Sequence, residues 1–263
     1  MMSFPGSDLT GKVAIITGGG TGIGAATALL LAQLGADVVI ASRSQDTLEQ
    51  RAAEIKSETG QNCLAIPTDV RDEQQVAKLI QNTIDELGRV DILINNAGGT
   101  RLRPLKDLST DHWQRSFALN VDAAFYCTRE VGAHFRQQGS GAIVNVSSMA
   151  GVNGTLRGAH YASSKAALQM FTRVAAAEWG PCGVRVNCVA PGMVLSDIAT
   201  EHLRQSNIDI DEGTRQFPLR RAGTPEDVAR VIAFLASDAA AYVTGETIAV
   251  NGGPVLGGTL DEA

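Results

Sequence analysis

The chain has 263 residues, 44% hydrophobic, 19% charged and 5% aromatic, a balance that excludes general disorder and allows a sizeable core. Its 28 glycines do not recur every third residue, which excludes collagen. Twenty-two Lys plus Arg against 28 Asp plus Glu leave a net charge of −6, without the basic field that duplex nucleic acid calls for. Cys63, Cys127, Cys182 and Cys188 form no C-x-x-C pair, so neither a zinc knuckle nor a redox motif is expected. The most apolar stretch, Ala25 to Ala32, is too short to span a bilayer, and no basic segment followed by an apolar run opens the chain. The expectation is a cytoplasmic protein with reduced thiols and no membrane or nucleic-acid partner.

In chain order, β-branched runs at Val13–Thr17, Asp37–Ala41, Cys63–Pro67, Asp91–Asn95, Ala142–Ser147, Val184–Ala190 and Glu246–Val250 read as strands. Unbroken apolar runs such as Val13-Ala14-Ile15-Ile16 suit strands covered on both faces, as in parallel sheets between helix layers. Amphipathic stretches separate most of them. In Asp72–Leu87, for example, Val76, Leu79, Ile80, Thr83 and Leu87 share a face. Thr224-Pro225-Glu226-Asp227 carries a capping hydroxyl, a first-turn proline and two acids, the signature of a helix start. The series predicts an α/β, Rossmann-type, doubly wound seven-stranded parallel sheet in a single domain over residues 1–263. Met193 to Arg221 is too long and polar for an ordinary connection and reads as a mobile substrate loop.

After the first strand comes Thr17-Gly18-Gly19-Gly20-Thr21-Gly22-Ile23-Gly24, followed by helical periodicity from Ala25 to Leu34. A glycine turn between a strand and a helix N-terminus suits a pyrophosphate, because the backbone approaches closely and helix N–H groups meet the anion. A tight turn without a ligand is the alternative. The second strand ends Ala41-Ser42-Arg43 with no acid at its tip; Asp37 lies at its start and Asp46 in the next helix. An acid there would bind the adenosine 2′-hydroxyl, whereas Ser42 and Arg43 favour a 2′-phosphate and hence NADP(H). The alternative for Arg43 is a solvated surface arginine.

Tyr161-Ala162-Ser163-Ser164-Lys165 places Tyr161 and Lys165 one helical turn apart. An ammonium beside a phenol favours phenolate; bringing its pKa from 10 to near 7 takes about 4 kcal/mol. A surface pair is the alternative. Thirteen residues upstream, Val144-Asn145-Val146-Ser147-Ser148 delivers a hydroxyl at the carboxyl edge of the sheet, where open α/β sheets bind ligands.

Together with Asn95-Asn96-Ala97-Gly98 after strand four, Asn120 in Leu119-Asn120-Val121, and Pro191-Gly192, these motifs resemble in order and spacing the short-chain dehydrogenase/reductases. The resemblance spans Thr10 to Gly253. It implies catalytic roles for Asn120, Ser148, Tyr161 and Lys165. The cofactor-binding set expected is Gly18, Thr21, Gly22, Ile23, Gly24, Ser42, Arg43, Asp69, Val70, Asn96, Ala97, Gly98, Tyr161, Lys165, Pro191, Gly192, Val194 and Ser196. Ser196 stands where the family often has Thr, and Asn251-Gly252-Gly253 replaces a common Asp-Gly-Gly.

The implied reaction is hydride transfer between NADP(H) and a ketone or secondary alcohol. Tyr161 would exchange the proton, Ser148 would bond the substrate oxygen, Lys165 would lower the tyrosine pKa and hold the ribose, and Asn120 would position a water. The sub-variants are 3-oxoacyl-thioester reduction, 2,4-dienoyl-CoA reduction, and steroid or sugar alcohol oxidation. Gly139 and Cys182 weaken the first, because basic helix ends for a carrier protein are absent; the retained Y-x-x-x-K weakens the second. A non-catalytic NADP-sensing regulator is the rival class. His160 is expected to be solvent-exposed, and His112, His134 and His202 lack metal-ligand spacing, so no metal is expected. Arg101, Arg103 and Arg157 read either as surface arginines or as an anion-binding mouth. The helix Ala162–Trp179 is apolar on nearly every side, which predicts burial of both faces and a homo-oligomer, a tetramer by the family resemblance.

Overall fold

In the computed structural model, which describes residues 5–195, 214–215 and 217–254, seven strands form on the seven apolar runs. They are β1 (Val13–Thr17), β2 (Asp37–Ser42), β3 (Cys63–Pro67), β4 (Ile92–Asn95), β5 (Gly141–Val146), β6 (Val184–Pro191) and β7 (Thr247–Val250). All pair in parallel in the order β3-β2-β1-β4-β5-β6-β7. Successive strands step outward from β1 to β3, and the chain then crosses back to β4 on the other side of β1. That reversal opens a crevice beyond the carboxyl ends of β1 and β4.

Alternation along each strand divides the core into two layers. Ala14, Ile16, Val38, Ile40 and Ile94 point to one face, where they meet Ala28 and Leu31 of α1 (Gly22–Gln33) and Ile232 of the last helix. Val13, Ile15, Val39 and Leu93 point to the other face, against Leu79 of α3 (Glu73–Leu87) and Val131 of α5 (Ala123–Gln138). Between these helices lie α2 (Gln45–Thr59) and α4 (Thr110–Phe117); α6 (Ala150–Asn153), α7 (Ala159–Trp179) and α8 (Pro225–Ala236) complete the layers. The expected helix starts are present as caps. Asp72 accepts from the N–H groups of Gln74 and Gln75, and Thr224 and Asp227 form a reciprocal capping box on α8.

Helix α7 buries a mixed face: His160, Ser164, Lys165 and Thr172 turn inward alongside Leu168, Ala175 and Ala176, while Ala166, Met170 and Val174 stand exposed on the outside. Within one chain, therefore, the helix is not covered on both faces. The segment Met193–Arg221 lies largely outside the described residues; of its start, Val194 pairs with Gly223 in an isolated parallel bridge. Among the described residues no helix is long and apolar enough to cross a membrane.

Candidate active site

The carboxyl end of β1 turns into α1 through backbone that only glycine permits. Gly24 lies so close to the turn that a Cβ there would stand 2.2 Å from the Gly18 carbonyl oxygen. The turn is stitched to β4. Asn96 Nδ2 donates to the carbonyls of Thr17 (2.9 Å) and Gly18 (3.2 Å), and Thr17 Oγ1 accepts from the N–H groups of Asn96 and Ala97. Asn96 thus shapes the loop with its side-chain amide. Thr21 caps α1 without a side-chain hydrogen bond to its first turn, and that turn carries no acid. The α1 N-terminus is left open to an anion.

A cleft of about 350 Å³ opens here, lined by Gly18, Thr21, Gly22, Ile23, Asn96, Ala97, Gly98, Ser148, Tyr161, Lys165, Pro191, Gly192 and Val194, together with Gly99, Val146 and Ser147. The structure therefore brings most of the expected residues around one space. A second cavity of about 390 Å³ shares Gly18 and Thr21 with it and extends to Ser42 and Arg43. Arg43 is exposed and makes no ion pair among the described residues. Ser44 and Thr47 also line this cavity, with their hydroxyls 2.9 Å apart at the start of α2. They stand at a helix N-terminus, a position that favours an anion and that the Ser44–Thr47 spacing itself signals. Asp69 and Val70 line neither cavity. Asp69 is engaged by Arg71 at 2.5 Å, which holds its carboxyl below the usual range, and Val70 is buried in the core. Gly24 sits behind the turn, and Ser196 lies outside the described residues.

On the far side of the cleft, Lys165 is buried and its Nζ donates to the Val146 carbonyl at 2.8 Å. The same nitrogen stands 5.8 Å from the centre of the Tyr161 ring. Burial pushes the lysine down to about 8. Tyr161 moves the opposite way from the sequence expectation. Burial raises its pKa above 10, and a hydrogen bond with the Ser148 side chain offsets only part of that rise. The ammonium is spent on a carbonyl rather than on the phenol, so desolvation wins.

Asn120 occupies a π-helical turn, Ala118–Asp122, inserted between α4 and α5. Such turns are rare and recur at functional sites. Its side chain is fully engaged within the protein. Oδ1 accepts from the Gly99 N–H (3.0 Å), and Nδ2 donates to the carbonyls of Gly99 (3.1 Å) and Ser116 (3.0 Å). The amide therefore fixes the loop after β4. A Cβ at Gly98 would lie 2.9 Å from both Asn120 Oδ1 and Lys165 Nζ, so only glycine fits where loop, π turn and lysine converge.

His160 corrects another expectation. It is fully buried, with Nε2 2.8 Å from Thr100 Oγ1 and its ring edge-on to His112 at 5.0 Å. Burial foremost, then the neighbouring His112, lowers its pKa, so it packs as a neutral residue. Beyond Ser148 a further cavity of about 610 Å³ is lined by Met149, Asn153, Thr155, Met193 and Phe217, among others. Among the described residues no group of three His, Cys, Asp or Glu could hold a metal ion.

Comparison with known proteins places this geometry. A family model described as Enoyl-(Acyl carrier protein) reductase matches residues 18–254. The chain belongs to the short-chain dehydrogenase/reductase family. It is 41% identical over 250 residues to a 3-oxoacyl-[acyl-carrier-protein] reductase of Synechocystis, covering 94% of this chain and 98% of that protein. It is 39% identical over 248 residues to a peroxisomal 2,4-dienoyl-CoA reductase of Danio rerio, covering 94% and 83% respectively. Among solved structures, a 7α-hydroxysteroid dehydrogenase complexed with NADH and 7-oxo glycochenodeoxycholic acid superimposes with a TM-score of 0.89 at 37% identity, covering 97% of this chain and 98% of that one. The protein is accordingly an oxidoreductase that transfers hydride with a nicotinamide cofactor and acts on carbonyl or alcohol groups.

Proposed function

We propose that this chain is an NADP(H)-dependent reductase of ketones, also able to oxidise the corresponding secondary alcohols. The observation that carries the reading is one cleft shared by the glycine turn of β1, the Ser148–Tyr161 pair and buried Lys165. The residues fit a dinucleotide. Gly24 and Gly98 let the walls of the cleft pack closely on Gly18 and on Asn120 and Lys165, and the α1 N-terminus offers N–H groups to a pyrophosphate. Ser42 and Arg43, with the hydroxyls of Ser44 and Thr47, would hold a 2′-phosphate at the α2 N-terminus, and no acid lines that cavity to repel it. When bound, the nicotinamide supplies or accepts the hydride.

The chain's own groups handle the proton. Tyr161, kept neutral by burial, carries a phenolic proton for the substrate oxygen, and Ser148 offers that oxygen a hydroxyl. Lys165, a cation below about pH 8, holds positive charge beneath the site and stays aligned by the Val146 carbonyl. Asn120 positions the Gly98–Gly99 backbone that walls the cleft. The outer stripe of Ala166, Met170 and Val174 on α7, joined by exposed Phe125 on α5, supports a homo-oligomer, with a tetramer as our reading. Four free cysteines support a reducing compartment such as the cytoplasm. NADPH and NADH consumption across a panel of ketones tests the reading. Turnover with NADH at equal or better kcat/KM would overturn the cofactor assignment.

A further inference from the structure

Three arginines sit on the two loops that flank this cleft, one continuing from the lining Gly98 and Gly99 and the other leading into the helix that carries Tyr161. Arg101 and Arg103 follow Gly98–Gly99 after β4, and Arg157 precedes α7 by two residues. All three are exposed, and among the described residues none is within ion-pair distance of an acid. The acids on the same stretch are already engaged: Asp107 lies 3.9 Å from Lys106, and Asp111 lies 3.0 Å from Arg115. A local excess of three positive charges on a chain of net −6 therefore has no acidic partner among the described residues.

The two loops are pinned, unlike ordinary surface arginines. The Arg103 N–H donates to the Arg157 carbonyl at 2.6 Å, tying one loop to the other. Immediately before Arg101, Thr100 Oγ1 is hydrogen-bonded to buried His160, the residue next to Tyr161. Arg157 itself is held at φ 61°, a left-handed conformation that a non-glycine residue adopts only when its surroundings impose it. Between the arginines, Leu102 and Leu156 expose apolar side chains, Leu156 at 90%. The mouth thus offers apolar surface beside fixed cations.

From this arrangement we infer that Arg101, Arg103 and Arg157 form a subsite for an anionic group at the far end of the substrate, so that the preferred ketone has an apolar body and a carboxylate or phosphate tail. The inference rests on the reading of the cleft given under Proposed function. Four peptide steps separate Arg157 from Tyr161, which bounds their Cα atoms at about 15 Å. A medium-length chain spans that distance.

The test uses the full-length protein with NADPH and three matched probes: a medium-chain keto carboxylate, its neutral methyl ester, and the corresponding ketoalkyl phosphate. The keto acid, the phosphate or both show a KM about tenfold or more below that of the ester, and the lower of the two identifies the tail. The variant Arg101→Gln, Arg103→Gln, Arg157→Asn removes that advantage while leaving kcat and the ester's kcat/KM unchanged. Added salt has the same directional effect. Equal KM values for ester and both anions, or a triple variant that changes nothing, overturns the subsite while leaving the oxidoreductase reading intact. Should none of the probes turn over, the ketone-reductase reading fails separately. Calorimetric titration of the keto acid and the phosphate into the NADP⁺-loaded protein and into the triple variant then decides the subsite: binding lost in the variant supports it, and no binding to either protein overturns it.

Discussion

Replacing Lys165 by Met should stabilise the fold while destroying activity. The buried lysine is pushed from an ordinary 10.5 down to about 8. At about 1.4 kcal/mol per pH unit, holding its charge in the folded state costs about 3 kcal/mol at neutral pH. Met fills the same space without that cost but forfeits the charge-assisted hydrogen bond to the Val146 carbonyl, worth about 1.5–2.5 kcal/mol. The net expectation at pH 7 is a gain of about 1 kcal/mol. Its pH dependence carries the decisive sign. Between about 8 and 10.5 the unfolded chain holds a proton on Lys165 that the folded chain has shed, so the parent's stability rises with pH across that window. By pH 10 the residual cost is under about 1 kcal/mol, and the advantage of the Met variant vanishes. Urea unfolding of both proteins at pH 7 and pH 10, at one protein concentration, reads both numbers. A Met variant less stable than the parent at pH 7, or an advantage independent of pH, would refute the reasoning.

Tyr161→Phe keeps the ring and its packing but removes the proton, so kcat should fall by about 10²–10⁴ while NADPH affinity by fluorescence titration stays within about twofold. Ser42→Asp places an acid in the Arg43 cavity and should move the NADPH-to-NADH affinity ratio toward NADH by roughly 5- to 150-fold, read by paired titrations. Gly98→Ala drives a methyl to 2.9 Å from Lys165 Nζ and Asn120 Oδ1; turnover should fall at least tenfold, by about 1.4 kcal/mol or more, with the chain still folded by circular dichroism. Met170→Asp with Val174→Asp puts charge on the exposed stripe of α7 and should lower the native mass by light scattering. An unchanged mass would place the contact elsewhere.

Strand positions were legible because each strand is built on an aliphatic or β-branched run, broken inside only by Asn145 in β5 and by Arg185 and Asn187 in β6, and the sheet buries both faces of its central strands while β3 and β7 at the edges stay partly exposed. The ends moved by one residue: β4 starts at Ile92, although the Asp91 backbone still bonds both Val13 and Ala142 and its carboxylate accepts from the Val13 N–H and from Arg89. The placement of Tyr161 and Lys165 on one cleft was legible because their spacing on one helix survives folding unchanged. What could not be read was desolvation. Nothing in Tyr161-Ala162-Ser163-Ser164-Lys165 tells that the ammonium faces the Val146 carbonyl rather than the phenol, and so the sign of the tyrosine shift came out reversed. His160 failed for the same reason, because its burial is created by Thr100 and His112, distant in sequence. The pairing of Asp69 with Arg71, two residues on, was likewise not legible, because it depends on the turn that precedes α3.

The orientation of α7 joins these results. A helix that points His160, Ser164, Lys165 and Thr172 inward must satisfy each polar group or lose stability for every one left bare. Lys165 finds Val146, and Thr172 accepts from Asn145, whose Oδ1 in turn accepts from Asn95 Nδ2, a relay running across β5 and β4. These bonds orient the helix about its own axis. Rotating it by one residue would bury Ala166 and expel the lysine. The apolar residues on the outer face then have no cover among the described residues, and the cover we propose is a second copy. The polar seam that aims Tyr161 and Lys165 at the cleft is therefore the same feature that leaves Met170 and Val174 outside, so the proposed proton chemistry and the proposed association surface follow from one choice of helix rotation.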